Sequence, residues 1–328
     1  MKYIRIKDPI YGTTDVNSSV AVDLIASEPF RRLRGIAQYG VPDKYHRVKN
    51  FYVSEHAMGT MLLLRMKGAL ITTQLTGLLH DIAAPAFKHL TEWVFGDRER
   101  EEISDKNRKA FVEKTEIPRI LAKHGFDLEQ VIHPEQHSLL ELELPGVCAD
   151  RVDYALRDYA MDPRLVRPTL DNLTAINGNL VFKTKEAAAS FGYAFLHCQK
   201  VHWGSAENNL RWEYFADAVK SALKDKVIRK EHLFYKCDAY VLARMEASND
   251  IGVISNLGML NGKLRFREVD PEVEEPDKSL KKKFRWVDPL YMSHGKVHRL
   301  SRADAEFKAN VGHLKAQSER GIHVVLEN

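Results

Sequence analysis

The sequence predicts a mainly α-helical protein with a short N-terminal β-hairpin and a small C-terminal α+β region. Apolar residues recur at helical spacing over most of residues 20–245, with Gly or Pro at the expected helix ends. Alternation of apolar and polar residues, which is typical of strands, is confined to residues 2–16 and 263–326. We therefore expect a helical region over residues 1–245 and a smaller α+β region over residues 246–328.

The first half of the chain is predicted to fold as a hairpin followed by helices. Residues 2–8 and 12–16 read as strands joined by a turn at Pro9–Gly12, and helical periodicity begins at Val20. Proline near the start and glycine at the end mark several of the later segments. Helices are expected at residues 20–40, 54–68, 72–81, 85–96, 97–124 and 147–161.

The second half is predicted to hold two long amphipathic helices and then a change of pattern. An NGN turn at residues 177–179 separates a short helix from the two long ones. Helices are expected at residues 169–176, 184–202, 206–225 and 302–320, and strands at 263–270, 282–292 and 322–327.

The charge balance excludes a long polyanion as the obvious partner. The 49 Lys and Arg residues face 45 Asp and Glu, and a net charge of +4 is small for 328 residues. Arg65 and Lys67 interrupt the most apolar window, so no membrane segment is expected. Cys148, Cys198 and Cys237 lack the spacing of a metal site and fit a reducing compartment. We expect a cytoplasmic protein whose partner is a small molecule.

The dipeptide His80–Asp81 follows the apolar run LTGLL and carries an imidazole and a carboxylate into or beside the core. Burying an unpaired carboxylate is unfavourable, and metal coordination is one of few ways to offset the cost. A helix-ending pair in which Asp81 caps the turn before Pro85 is the alternative. His56 in SEHAMG and Asp150 in CADRVDYALRD supply a second imidazole and a second carboxylate. This mixed N/O set suits Mn, Fe, Ni, Co, Zn or Mg.

Five segments resemble, in order, the motifs of one enzyme family. They are DPIYGTTDV, FRRLRGIAQYG, SEHAMG, LLHDIAAPAFKH and ADRVDYALRD, and they cover about residues 5–160. They are similar to the motifs of HD-domain phosphohydrolases and, within these, of the deoxynucleoside triphosphate triphosphohydrolase branch. The resemblance implies an HD-domain helical core and a metal-dependent hydrolase that acts on phosphate ester or anhydride bonds.

The resemblance also implies the site residues. One divalent metal ion would be held by two histidines and two carboxylates, namely His56, His80, Asp81 and Asp150. The substrate would be contacted from the second and last motifs. Gln38, Tyr154 and Asp158 would face a sugar, and Arg151 would replace a phosphate-binding lysine.

Helical spacing places the residues of the last motif on one face. Counting from Asp150, the positions i+4, i+7 and i+8 are Tyr154, Arg157 and Asp158, whereas Asp153 lies to the side and is expected to pair structurally. Arg157 fits a phosphate contact and an internal ion pair with Asp153 or Asp158 equally well.

Two positions depart from the triphosphohydrolase pattern. Val53 stands where that pattern has an arginine, and Ala84 stands where it has a second histidine associated with catalysis on triphosphates. Alanine neither donates a proton nor binds an oxyanion. His89 and Glu92, one helical turn apart, are therefore predicted as catalytic residues together with the metal ligand Asp81. A pair that only braces its helix is the alternative reading of His89 and Glu92.

The predicted function is that of a metal-dependent phosphohydrolase in which a metal-activated water attacks phosphorus. The expected substrate is a nucleotide or related phosphate ester, either a deoxynucleoside triphosphate or a smaller nucleotide. A nucleotide-binding regulatory protein with lost catalysis, motivated by Ala84, and a phosphodiesterase are the alternatives. The related enzymes further imply a homo-oligomer.

Overall fold

The fold is mainly helical, with its strands near the two ends and in one central hairpin. A computed structural model describes residues 3–96, 103–281 and 283–327. Strands β1 (Ile4–Asp8) and β2 (Gly12–Val16) form the predicted antiparallel hairpin, in which Ile4 pairs with Val16. No helix among the described residues is both long and apolar enough to cross a bilayer.

Nine α-helices in the described residues follow the hairpin and form most of the core around the HD motif. They are α1 (Ser19–Ala26), α2 (Glu28–Arg32), α3 (Asp43–His46), α4 (Val53–Met66), α5 (Ile71–Leu79), α6 (Lys88–Val94), α7 (Ile103–Val112), α8 (Ile117–Lys123) and α9 (Ala149–Arg157). Short 3-10 helices lie at Leu33–Gly35, Leu128–Gln130 and Pro134–Gln136.

The rest of the chain mixes helices with two small sheets. Its helices are a 3-10 turn (Pro163–Leu165), α10 (Val166–Asn172), α11 (Lys185–Cys198), a π-helix (Gln199–Trp203), α12 (Ala206–Lys224), α13 (Lys230–Tyr235), α14 (Asp238–Glu246), α15 (Ile251–Leu260), α16 (Leu300–Ala303) and α17 (Ala305–Arg320). Its strands are β3 (Leu173–Ile176), β4 (Asn179–Phe182), β5 (Phe266–Glu268), β6 (Lys278–Leu280), β7 (Leu290–Ser293), β8 (Lys296–Arg299) and β9 (Ile322–Leu326). The sheet orders are β3-β4-β7-β8 and β5-β9-β6.

Several predicted boundaries were wrong for local reasons. The helix expected over residues 20–40 is divided at Ser27, whose hydroxyl caps the next helix by accepting from the Phe30 N–H at 3.4 Å. Of the strand expected over residues 282–292, only the part in β7 is regular among the described residues. The described residues before it form no strand hydrogen bonds; the Arg285 N–H, for example, donates to the Gln199 side chain. Residues 97–102 of the charged helix expected at 97–124 lie outside the described residues.

The C-terminal region shares its hydrophobic cores with the helical region. Helix α15 packs along α12, and one apolar cluster joins Trp93 and Phe215 to Leu257 and Val324. Strand β7 pairs in parallel with β4, placing Tyr291 beside Phe182. These contacts cross the division at residue 245, which stays a prediction from the sequence pattern.

Packing of α4 against α5 and α9 positions the chemistry of the HD motif. Helix α4 is almost entirely buried, so it serves as the central helix on which the other two converge. Gly59 permits the close approach of α9, because its α-carbon faces the Asp153 and Arg157 side chains. The motifs therefore meet at one end of three packed helices.

Candidate metal centre

Three of the four side chains predicted as metal ligands, His80, Asp81 and Asp150, line a cavity of about 700 Å³, here called the metal cavity, and buried His56 contacts them from behind its wall. His56 lies in the first turn of α4, His80 and Asp81 follow the last turn of α5, and Asp150 lies in the first turn of α9. The first turn of α9 and the end of α5 are brought to α4 by the packing described above. Segments separated by 94 residues in sequence thus place donor atoms within hydrogen-bond distance.

The donor atoms form a compact group. His56 Nε2 lies 3.1 Å from His80 Nε2 and 2.9 Å from Asp150 Oδ1. Asp81 Oδ2 lies 3.4 Å from His80 Nε2 and 3.6 Å from His56 Nε2. Donor atoms of His56, His80 and Asp81 all fall within 4.8 Å of one another, as a shared cation requires. Asp150 stands beside this trio, 3.5 Å from His80 Nε2.

The outer nitrogens of both histidines are engaged, which tests whether the residues fit a metal. His80 Nδ1 donates to the Gly77 carbonyl at 2.7 Å, and His56 Nδ1 donates to Asp153 Oδ2 at 2.7 Å. In the neutral imidazoles, both Nε2 lone pairs then point at each other and at two carboxylates. Such a convergence of acceptors is stable only around a cation, so the donor set fits a divalent metal ion.

The pKa shifts in the cluster also indicate that a positive charge is favoured there. Burial opposes the charged form of His80, but Asp81 and Asp150 overcome it and raise the pKa of His80 to about 9. Burial likewise works against ionisation of Asp81, yet Lys88 and the histidines hold its pKa below the usual range. The pKa of Asp150 is also lowered against burial, by hydrogen bonds from His56 and His80. A proton bound at the site occupies the place that a metal ion would take.

A buried ion-pair chain fixes the orientation of His56. Asp153, which accepts from His56, also accepts from Arg157 Nε at 2.8 Å, and Arg157 Nη2 donates to Asp8 Oδ2 at 2.7 Å. Asp8 in turn accepts from the Ile10 backbone N–H within the hairpin turn. The expected structural pairing of Asp153 is thereby specified: Asp153 orients a histidine of the candidate metal centre, and the N-terminal hairpin supports Asp153 through Asp8 and Arg157.

Two substrate residues expected from the last motif are engaged elsewhere. The Arg157 side chain is 3% exposed and bonded to Asp153 and Asp8, so of the two roles that its position allowed, the structure contains the internal ion pair. Helix α9 ends at Arg157, and Asp158 therefore leaves the helical face on which its spacing placed it. Its Oδ2 accepts from His202 Nδ1 at 2.7 Å and from Trp203 Nε1 at 2.8 Å. Asp158 thus orients the π-helix, and because it also lies in the wall of a side pocket described below, its contact with a sugar stays a prediction.

The other predicted substrate and catalytic residues do line the metal cavity. Gln38 is 8% exposed, and its Oε1 has no hydrogen-bond partner among the described residues. His89 Nδ1 lies 3.8 Å from Glu92 Oε2 at one wall. Arg151 reaches the cavity while its Nη1 donates to the Gly146 carbonyl at 2.8 Å. The full set of predicted residues in the wall is Gln38, His89, Glu92, Arg151 and Tyr154; their roles stay predictions.

An adjoining side pocket is lined by the aromatic residues Tyr39, Phe51, Tyr154, Trp203 and Trp212. It also has Gln38, His89, Asp158, His202, Asn208 and Arg285 in its wall. The two spaces share Gln38, His89, Tyr154 and Arg285 in their walls, so they adjoin each other. Sequence reasoning did not find this pocket, because Trp203 and Trp212 carry only a packing signal.

Lys88 is a site residue that sequence reasoning missed. Its Nζ lies 2.6 Å from Asp81 Oδ2, and its side chain is only 5% exposed. Phe87 and Lys88 have φ angles of +61° and +29°, which non-glycine residues rarely adopt. The Phe87 N–H donates to buried Asp238 at 2.8 Å, which holds the strained turn in place. The sequence did contain a signal for it, namely a lysine that follows His80–Asp81 within the segment LLHDIAAPAFKH.

The two departures from the triphosphohydrolase pattern are core residues. Val53 is fully buried and Ala84 is 1% exposed, and both belong to the hydrophobic cluster around α4 and α5. Arg32 donates to the Ala84 carbonyl at 2.8 Å and fixes this turn. The wall of the metal cavity instead receives cations from Arg108 and from Lys283 and Arg285 of the C-terminal region.

Comparison with known proteins assigns the chain to a family. It is 34% identical to the uncharacterized protein YdhJ of Bacillus subtilis over 98% of both chains. It is 35% identical to the metal-dependent phosphohydrolase cns2 of Cordyceps militaris over 155 residues, which span 47% of this chain and 45% of that protein. The chain thus matches about half the length of this second relative. No family model matches the chain.

Solved structures show the same fold. A phosphohydrolase from Bacteroides thetaiotaomicron superposes with a TM-score of 0.68 and 15% identity, over 99% of this chain and 100% of that one. A hypothetical protein from Aquifex aeolicus superposes with a TM-score of 0.73 and 17% identity over 94% of both. The chain therefore belongs to one family with YdhJ, shares the fold of the Bacteroides phosphohydrolase, and over about half its length is similar to a metal-dependent phosphohydrolase.

Proposed function

We propose that this enzyme hydrolyses a small phosphate ester of nucleotide type and prefers a phosphomonoester to a triphosphate. The observation that carries the proposal is the cluster of His56, His80, Asp81 and Asp150, three of which line a cavity that adjoins an aromatic side pocket. Two imidazoles and two carboxylates fit a hard or borderline divalent ion. The adjoining aromatic walls suit a planar ring attached to the phosphate.

Different side chains have different roles in the proposed reaction. His56, His80, Asp81 and Asp150 would hold the cation, which when bound polarises a phosphoryl oxygen and lowers the pKa of a water. Lys88 fixes Asp81 and places a positive charge beside it. His89, partly exposed at the wall, supplies a proton to the leaving oxygen, and the carboxylate of buried Glu92 lies 3.8 Å from its Nδ1.

The charge of the metal cavity supports a substrate of limited charge. Five Lys or Arg and six Asp or Glu side chains line it, so a divalent cation leaves it only weakly positive. A phosphomonoester carries a charge of about −1.5 to −2 at neutral pH, and a triphosphate carries more. The wall therefore offers too little positive charge for a triphosphate. Val53 and Ala84 lie in the apolar core and supply no further positive charge.

Release assays on the metal-loaded chain test this function. Protein loaded separately with Mn, Fe, Ni, Co, Zn or Mg is incubated with nucleoside mono-, di- and triphosphates and with a cyclic nucleotide. Inorganic phosphate, pyrophosphate and triphosphate are then quantified. We expect phosphate release from monophosphates to be fastest. Triphosphate release as the main activity would contradict the preference for monoesters and favour the triphosphohydrolase branch.

The regulatory alternative is separated by the same experiment. It rests on Ala84, whose methyl group lies in the core and supplies no catalytic group. Nucleotide binding without turnover under every metal would favour it over the enzyme, and opening of the cyclic nucleotide would favour a phosphodiesterase. The homo-oligomer and the cytoplasmic location stay predictions.

A further inference from the structure

A segment of the C-terminal region runs along the wall of the metal cavity. Residues 283–289 connect β6 to β7 in irregular conformation, and their side chains alternate. Phe284 and Trp286 pack against the cluster of Leu196, Leu300, Phe307 and Val311, whereas Lys283 and Arg285 line the metal cavity. Apolar residues thus anchor the segment from behind, and its basic residues face the site.

Backbone contacts hold this segment to the elements that carry the site. The Arg285 N–H donates to Gln199 Oε1, at the start of the π-helix, at 3.1 Å. The Asp288 N–H donates to the Pro145 carbonyl, just before the Asp150 helix, at 2.8 Å. The Asp288 carboxylate accepts from the Ser301 N–H at 2.9 Å, which ties the segment to α16. Arg285 is therefore fixed between the π-helix and α9.

Arg285 occupies the junction of the two spaces. It belongs to the wall of both the metal cavity and the side pocket, together with Tyr154. Tyr154 and Arg285 thus both face the place where the two spaces adjoin. A phosphate at the metal cavity with its ring in the side pocket would have to pass this guanidinium.

We propose that Arg285 binds the phosphate of the substrate at this junction, so that the C-terminal region supplies a substrate-binding residue to the HD core. The proposal rests on the proposed function above. Arginine suits the role because its planar fork donates two parallel hydrogen bonds to phosphate oxygens. Arg151 and Arg108 also line the metal cavity, but neither of them lies in the wall of the side pocket. The ligand class is a phosphomonoester that carries a planar ring.

The test compares R285Q and R285K with wild type, all loaded with manganese. Binding of inorganic phosphate is measured by calorimetry, and kcat and KM are measured with para-nitrophenyl phosphate. R302Q is the matched control, because Arg302 is an exposed arginine of the same region that lines a different surface pocket. Manganese content and melting temperature are recorded for every variant.

We expect R285Q to weaken phosphate binding at least about tenfold, which is the effect of losing a hydrogen bond to a charged group. KM should rise by a larger factor than kcat falls, R285K should recover part of the affinity, and R302Q should match wild type. Manganese content and melting temperature should not change in either Arg285 variant.

Three results would overturn the proposal, and they are distinguishable. Phosphate affinity within about twofold of wild type in R285Q would remove Arg285 from the binding site while leaving the proposed function intact. Loss of phosphate binding together with manganese or thermal stability, unrepaired in R285K, would assign Arg285 a structural role. Absence of phosphate binding and of turnover in wild type itself would defeat the proposed function and this inference with it.

Discussion

Replacement of Gly59 by alanine should damage both the fold and the metal centre. Gly59 lies on α4, three residues after His56, where α9 approaches most closely. An added Cβ would lie 2.9 Å from Asp153 Cγ and overlap Asp153 Oδ1 and Arg157 Nη2. Ordinary carbon contacts are about 3.5–4.0 Å, so the carboxylate must retreat by roughly 1 Å. Both partners are buried, and solvent cannot replace what they lose.

The magnitude follows from the bonds that such a movement breaks. Asp153 accepts from His56 Nδ1 at 2.7 Å and from Arg157 Nε at 2.8 Å, and a displacement of this size disrupts at least one of them. Disrupting a buried ion pair costs about 3–5 kcal/mol, whereas alanine gains about 1 kcal/mol of helix propensity over glycine. The free energy of unfolding should therefore fall by about 2–4 kcal/mol. Loss of the bond that orients His56 should weaken metal binding by about 10–100-fold.

Urea unfolding and manganese titration measure the two effects. The matched control is Gly258→Ala, because Gly258 lies exposed on α15 with open space where the Cβ would stand. That control should be unchanged or slightly more stable, and it should keep the manganese affinity of wild type. An unfolding free energy and a manganese affinity for Gly59→Ala that both equal wild type would refute the account of the Asp153–Arg157 pair.

Three further predictions concern the site and the thiols. Asp81→Asn should lose bound manganese in elemental analysis while keeping its helical circular dichroism, and full retention of the metal would contradict the assignment of Asp81 as a ligand. Lys88→Met should keep manganese but lower kcat, because the cation next to Asp81 is lost; an unchanged kcat would limit Lys88 to a structural role. Burial raises the pKa of Cys148 to about 11 and also raises the pKa of Cys198. At pH 8 we therefore expect one thiol per native chain, that of partly exposed Cys237, to react with a thiol reagent. After denaturation all three thiols should react. Rapid native reaction of two or three thiols would show that the buried cysteines are accessible.

Much of the fold could be predicted because its signals are local. Helical periodicity and cap residues placed α4 and α5 close to their observed bounds, and alternation with a turn placed the β1–β2 hairpin; α9 ends at Arg157, before its predicted end at residue 161. One error arose at Ser27, where a local helix cap interrupts the helical periodicity. Another arose in residues 283–289, where apolar and basic side chains alternate because they face the core and the metal cavity, and the segment is not a strand.

Part of the site could also be predicted from residue type and order. His56 and Asp150 lie in the first turns of two helices and His80 and Asp81 directly after a third, and the packing of these helices brings together the four residues that motif order predicted. The predicted position of Asp158 depended on a longer helix. Helix α9 ends one residue before Asp158, and the Asp158 carboxylate therefore turns toward His202.

The sequence by itself determined the helical class, the hairpin and the metal-type residues, because each depends on spacing within one segment or on recognisable motifs. Only the tertiary structure decided that Asp153 orients His56, that Lys88 reaches Asp81 through a left-handed turn, and that Arg285 stands at the junction of the two spaces. These contacts join side chains through packing and strained backbone, and Arg285 lies more than a hundred residues from the helix it faces. Periodicity and residue type carry no information about such distances, so they had to be found in the folded molecule.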